Sequence, residues 1–180
     1  DGRMSRARRR NSVPLTVSRP ALLAEGSDAQ FRGFIHDLIG YGRRLDECRD
    51  AFAAIAGVSA AQYEILILVS HAGGLSVSEV AARLRRSGAF ITIEANKLAE
   101  RGILDKASDA ADRRRVLLQP NRKSLQLLEK LAAFQVRIND ELFAHLGAKQ
   151  FREARALLRE QLASADRAVA LLGVLMQEAA

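Results

Sequence analysis

Residues 109–115 read Asp-Ala-Ala-Asp-Arg-Arg-Arg, two carboxylates just ahead of three guanidiniums. A guanidinium fork matches the paired oxygens of a carboxylate or a phosphate, so this cluster can pair internally, grip a polyanion, or stand solvated as an ordinary charged turn. Asp112 is placed to take one fork bidentately and fix the segment. Arg114 is assigned to that pair and Arg113 to an outside anion, the two roles being exchangeable. A second cationic pair, Arg85-Arg86, stands directly before Ser87. Serine caps helices, and two arginines ahead of a capped helix suit a phosphate on either side of its N-terminus.

Other chemistries find no residues to carry them. His36, His71, His145 and the lone Cys48 lack ligand spacing such as H-x-x-x-H or C-x-x-C, which argues against a structural metal. The sequence shows no G-x-S-x-G, P-loop or paired-carboxylate constellation, so no cofactor and no enzymatic activity are expected. The net charge of +7 on 180 residues and the pI near 10.3 fit a polyanionic partner. At 48% hydrophobic and 27% charged the balance is that of a soluble globular chain. No apolar run is long enough to span a membrane. A single cysteine suits a reducing compartment, and the expected location is the cytoplasm.

The elements that must position these groups are mostly helical. Residues 1–26 carry Arg3, Arg6, Arg8, Arg9, Arg10 and Arg19 but little apolar material, and Pro14 and Pro20 break regular structure. They are expected to form a mobile basic arm, either touching phosphate or without a specific task. From Ser27, a plausible N-cap with Gln30 completing a capping box, apolar residues from Phe31 to Ile55 recur at helical spacing until Gly57. A second helix runs from Ser59 to Gly73-Gly74. Ser76-x-x-Glu79 is a capping box flanked by Leu75 and Val80 as a hydrophobic staple, which predicts a helix from Val77 to about Arg85. Ser87 caps the next helix, which Gly102 stops. Two helices joined by about three residues form a helix-turn-helix. Residues 103–108 and 115–120 then read as strands around the charged cluster, a β-hairpin wing ended by Pro120. Two amphipathic helices, broken at Gly147, complete the chain.

In the second helix of that pair, Ile91, Ala95 and Leu98 share one face and should meet the core. Gly88, Ala89, Thr92, Ile93, Asn96 and Lys97 are left toward a DNA major groove. Ala89, Thr92 and Ile93 suit thymine methyls, Asn96 suits adenine, and Lys97, like Arg85 and Arg86, suits phosphate. Phe90 fits packing against the preceding helix better than a DNA contact. The wing arginines suit the minor groove, about 6 Å wide and strongly negative where narrow.

The stretch from Leu75 to Pro120 resembles the multiple antibiotic resistance regulator (MarR) family of winged-helix transcription factors. The resemblance rests on Leu75 to Leu84, Ser87, Thr92, Leu98-Ala99-Glu100-Arg101-Gly102 and Asp109-x-x-Asp112-Arg113-Arg114. The preceding 57–69 resembles the family's second helix. The fold it implies is mainly α with a small β-hairpin wing. Residues 57–120 would form the winged DNA-binding domain, and 27–56 with 121–180 a helical dimerisation region. It further implies a homodimeric repressor that binds a pseudo-palindromic operator on double-stranded DNA. Release would follow entry of a small effector, an aromatic acid or its CoA thioester, into a cleft between the two regions. Three positions depart from the usual pattern: Gly88 and Ile93 stand where cations are common, and Glu94 where an aliphatic residue is. The redox-sensing branch carries its cysteine at the position of Ile35, so Cys48 is read as a packed thiol.

The dimer has support of its own, because Phe31, Phe34, Leu38, Leu157, Leu158, Leu162, Val169, Leu172 and Leu175 exceed what two helices can bury on one small domain. For an effector cleft the candidates are Tyr41, Arg44, Phe52, Tyr63, Phe134 and Arg137, aromatic walls with cations for a carboxylate. Two alternatives remain: a non-specific architectural DNA-binding protein, and a winged-helix module that binds protein.

Overall fold

A computed structural model describes residues 13–108 and 115–179. After a 3-10 turn at Pro20–Leu22, the elements run α1 (Ala29–Ala56), α2 (Ala60–Ala72), β1 (Leu75–Ser76), α3 (Val77–Leu84), α4 (Gly88–Glu100), β2 (Leu104–Ser108), β3 (Val116–Pro120), α5 (Arg122–Leu142) and α6 (Ala148–Glu178). They divide into two compact units, one up to Leu131 and the other from Ala132 onward. No single described helix is long and apolar enough to cross a membrane.

Local chemistry sets the ends of the helices. The Ser59 hydroxyl accepts from the Gln62 amide while the Gln62 side chain accepts from the Ser59 amide. Ser76 and Glu79 make the same reciprocal box at α3, and Ser87 accepts from the Phe90 amide at α4. Each box satisfies amides that a helix start leaves without partners. Gly73 closes α2 at φ 74°, a left-handed conformation that glycine adopts without steric cost.

The core of the first unit is built where α2, α3 and α4 turn their apolar faces onto the sheet. Ile65, Leu66, Val69, Leu75, Val80, Ile91, Ala95, Leu98, Ile103, Leu104 and Leu118 are buried together. Beside it, Phe52, Ala53, Ala56, Tyr63 and Leu131 join α1, α2 and the first half of α5. The sheet has the order β1-β3-β2, antiparallel throughout, with Leu75 opposite Leu118 and Lys106 opposite Leu118 on the other side.

Three expectations change. The wing is a three-stranded sheet, because Leu75-Ser76, expected only as the staple and cap of α3, also pairs with β3. Helix α1 starts at Ala29, with Asp28 as N-cap. The Ser27 hydroxyl accepts from the Ala29 amide, and no box with Gln30 forms. The reason is tertiary: Asp28, almost fully buried, accepts from the Thr16 amide and hydroxyl, both at 2.8 Å, and from Arg32. Residues 13–26, expected as part of a mobile arm, are thereby fastened to the head of α1, while residues 1–12 lie outside the described residues.

Candidate nucleic-acid interface

Helix α4 has two faces of opposite character. Ile91, Ala95 and Leu98 are buried as their spacing requires, whereas Ser87, Gly88, Ala89, Thr92, Ile93 and Lys97 are exposed and Asn96 is half-buried. Phe90 packs against the core, and the Arg86 guanidinium lies 5.6 Å from its ring centroid. That settles Phe90 as a packing residue. Arg85 and Arg86 are exposed in the turn between α3 and α4. Asp112, Arg113 and Arg114 lie outside the described residues.

The polar groups on and behind α4 are tied to their neighbours. Thr92 Oγ1 donates to the Gly88 carbonyl at 2.8 Å. Lys97 Nζ, expected for phosphate, contacts Glu94 Oε1 at 2.6 Å. The other oxygen, Oε2, accepts from Gln62 Nε2 at 2.9 Å. This explains how a carboxylate stands where the resemblance implies an aliphatic side chain: both of its oxygens are engaged. Lys106 Nζ on β2 donates to Asn96 Oδ1 at 2.6 Å. Arg115 Nη2 reaches Ser76 Oγ at 3.0 Å and Glu79 Oε2 at 3.4 Å, joining the root of the wing to the cap of α3.

Sequence reading missed Lys106, Arg115 and Gln62. Only Lys106 left a trace: strand alternation puts it on the face of Leu104, which is buried in the core that α4 shares.

Two carboxyls on the helix-turn-helix are perturbed. Hydrogen bonds from the Lys97 ammonium, then from the Gln62 amide, hold Glu94 below its ordinary value of 4.5 against the opposing effect of burial. The Ser76 hydroxyl and amide, aided by Arg115, do the same for Glu79. A carboxyl depressed in the fold stabilises it above its unfolded pKa, and that contribution is lost as pH falls through the folded value. Urea midpoints of wild type and Glu94→Gln are therefore expected to differ by a constant amount above about pH 5 and to converge below it. An unchanged difference down to pH 3 would remove Glu94 as an ionised member of the network.

Arg85 closes α3 in the left-handed region, at φ 52° and ψ 45°. A side chain there costs about 1 kcal/mol or more that glycine does not incur. Arg85→Gly is expected to raise the free energy of unfolding by up to about 1 kcal/mol. If Arg85 clamps a phosphate, the same change lowers DNA affinity and reduces the log–log salt slope by about one. Paired urea and salt-titration measurements would show the two effects with opposite signs.

The effector candidates differ in their exposure. Phe52 and Tyr63 are buried with ring centroids 6.3 Å apart. Tyr41 and Arg44 are exposed on earlier turns of α1, Arg44 paired with Glu47 at 2.8 Å. Phe134 and Arg137 are exposed in the second unit. An open depression at the head of α1 is lined by Ala24, Glu25, Ser27, Ala29 and Gln30 and includes none of the six. Cys48 is half-buried against the Phe52 cluster. Among the described residues no group of His, Cys, Asp or Glu is placed to hold a metal.

A capped recognition helix, a turn carrying two arginines and a hairpin behind them are the parts of a winged helix-turn-helix. Residues 56–115 match the family model described as the MarR family. Over that third of the chain the protein resembles the MarR family. The described elements have that family's winged helix-turn-helix fold. Among solved structures it is similar to a MarR protein from Peptoclostridium difficile (TM-score 0.62, 21% identity, covering 81% of this chain and 93% of that one). It is also similar to the transcriptional regulator BldR from Sulfolobus solfataricus (TM-score 0.60, 18% identity, 74% and 96% covered). A third likeness is to the PcaV transcriptional regulator of Streptomyces coelicolor, solved with its natural ligand (TM-score 0.54, 26% identity, 69% and 90% covered). The first two are likenesses of fold. No curated protein matches the chain in sequence.

Proposed function

We propose that this protein is a MarR-type transcriptional regulator, a homodimeric repressor. Each subunit lays α4 in the major groove of one half of a pseudo-palindromic operator and sets its wing in the adjacent minor groove. The observation that carries the reading is the division of α4. One face is sealed in the core, while Gly88, Ala89, Thr92 and Ile93 face outward beside Arg85 and Arg86. That arrangement fits base edges at the helix N-terminus and phosphates at its flanks. The wing's share rests on residue type, with Arg113 in the minor groove and Arg114 held by Asp112.

Mobility-shift assays on duplex from the protein's own promoter test the reading. Specific duplex should be bound about a thousandfold more tightly than random duplex. Arg113→Ala is expected to weaken binding by roughly 1–3 kcal/mol. Equal affinity for every duplex would instead identify an architectural protein. Binding to heparin without salt dependence would identify a protein-interaction module.

The effector is proposed to be a small aromatic acid or its thioester; PcaV, of similar fold, was solved with its natural ligand. Tyr41 and Arg44 offer a ring and a cation on exposed turns of α1. A thermal-shift screen of aromatic acids and acyl thioesters, followed by release of bound duplex, tests it.

A further inference from the structure

The pairing of Lys106 with Asn96 bears on which base the recognition helix reads, and it rests on the operator reading above. An ammonium has only hydrogens to offer, so its partner on a carboxamide must be the oxygen. At 2.6 Å from Lys106 Nζ, Asn96 Oδ1 is therefore turned to the wing, and Nδ2 is the end left over. Asparagine reads adenine with both ends, Nδ2 donating to N7 and Oδ1 accepting from the N6 amino group. Here one lone pair of the accepting end already takes the ammonium, and an adenine amino group would have to bring its hydrogens to the second beside that positive charge. Guanine meets the opposite condition, because N7 and O6 are both acceptors. Another acceptor of the same helix is also engaged: Glu94 is buried with Lys97 and Gln62 on its two oxygens.

We infer that Lys106 sets specificity for the operator. By holding the Asn96 carboxamide oxygen, it makes the base under Asn96 a guanine and not the adenine that asparagine alone would choose. Lys106 is a positioning residue in this scheme. It acts through Asn96, from a strand ten residues further along the chain.

Selection from a random-sequence duplex library with wild type, Lys106→Met and Asn96→Ala tests it. Wild type should enrich guanine at one position of each half-site. Lys106→Met should change that same position to adenine, moving the guanine-to-adenine ratio by about tenfold or more while the other positions stay as they were. Asn96→Ala should lose preference there alone. Adenine at that position with wild type, or the same base with Lys106→Met, overturns the inference. So does a uniform loss of affinity, which would make Lys106 a phosphate contact. In DNA-free protein, the Asn96 side-chain amide resonances should shift on Lys106→Met, and unmoved resonances also overturn it. If those resonances shift but wild type enriches no sequence, the operator reading has failed and takes the inference with it, although the pair is real.

Discussion

Leu98→Ala is expected to lower the free energy of unfolding by about 3–4 kcal/mol, while Ile93→Ala, five residues earlier on the same helix, changes it by less than about 0.5 kcal/mol. Leu98 is fully buried among residues that include Ile65, Leu66, Val80, Leu104 and Leu118. Removing its branched end loses the transfer free energy of the missing carbons and leaves a cavity that rigid neighbours cannot fill. Ile93 is 54% exposed and has little burial to lose. Their effects on DNA should differ in kind. Ile93→Ala is expected to weaken operator binding about fivefold at unchanged stability, through one apolar contact to a thymine methyl. Leu98→Ala should leave affinity per folded molecule nearly unchanged. It consumes much of a total stability of order 5–15 kcal/mol, so binding should fail on warming as the folded fraction falls. Urea titrations followed by circular dichroism, paired with mobility shifts at low and high temperature, separate the cases. A wild-type midpoint for Leu98→Ala would contradict the packing of α4.

What could be read from the sequence divides along physical lines. Caps are local: Ser59, Ser76 and Ser87 each bond an amide three residues on, so identity and spacing suffice to find them. The buried face of α4 was legible for the same reason, since helical period alone brings Ile91, Ala95 and Leu98 together. Strand β1 was not, because two residues hold no period; it is a strand only because Leu118, 43 positions later, lies opposite. Asp28 shows a tertiary partner displacing a local rule. Ser27 and Gln30 spell a capping box, yet Thr16 and Arg32 claim Asp28 and move the helix start by one residue.

The site divides in the same way. Which α4 residues are exposed followed from the period, but what each polar group is doing did not. Glu94 finds Gln62 across 32 residues, and Arg115 finds Ser76 across 39. Such pairs need the fold before they can be named. Asn96 and Lys97, read as facing DNA, also bond Lys106 and Glu94, which a residue list alone does not show.

Leu172→Glu is expected to convert the protein to monomers and abolish stable operator binding. None of the 31 residues of α6 is buried, although Leu158, Leu162, Ala165, Val169, Leu172 and Met176 recur at alternating steps of four and three. That 3.5-residue period is a seam suited to a second helix. The first turns of α1 are in the same condition, with Phe34, Leu38 and Ile39 at least half exposed. Apolar surface on this scale marks an association site. A carboxylate inside such a seam must be desolvated or protonated, and the dimer dissociation constant should rise at least about a hundredfold, close to 3 kcal/mol. Arg167→Glu makes a larger charge change off the seam and should leave the dimer intact. Sedimentation equilibrium reads both variants directly. A monomer keeps a complete α4, so Leu172→Glu should still bind a half-site weakly and with the same base preference. The full operator gains its affinity because the second head binds a site already held close by the first. Full-strength operator binding by a proven monomer would therefore show that one subunit suffices, and the paired-site scheme would fall even with α4 in the groove.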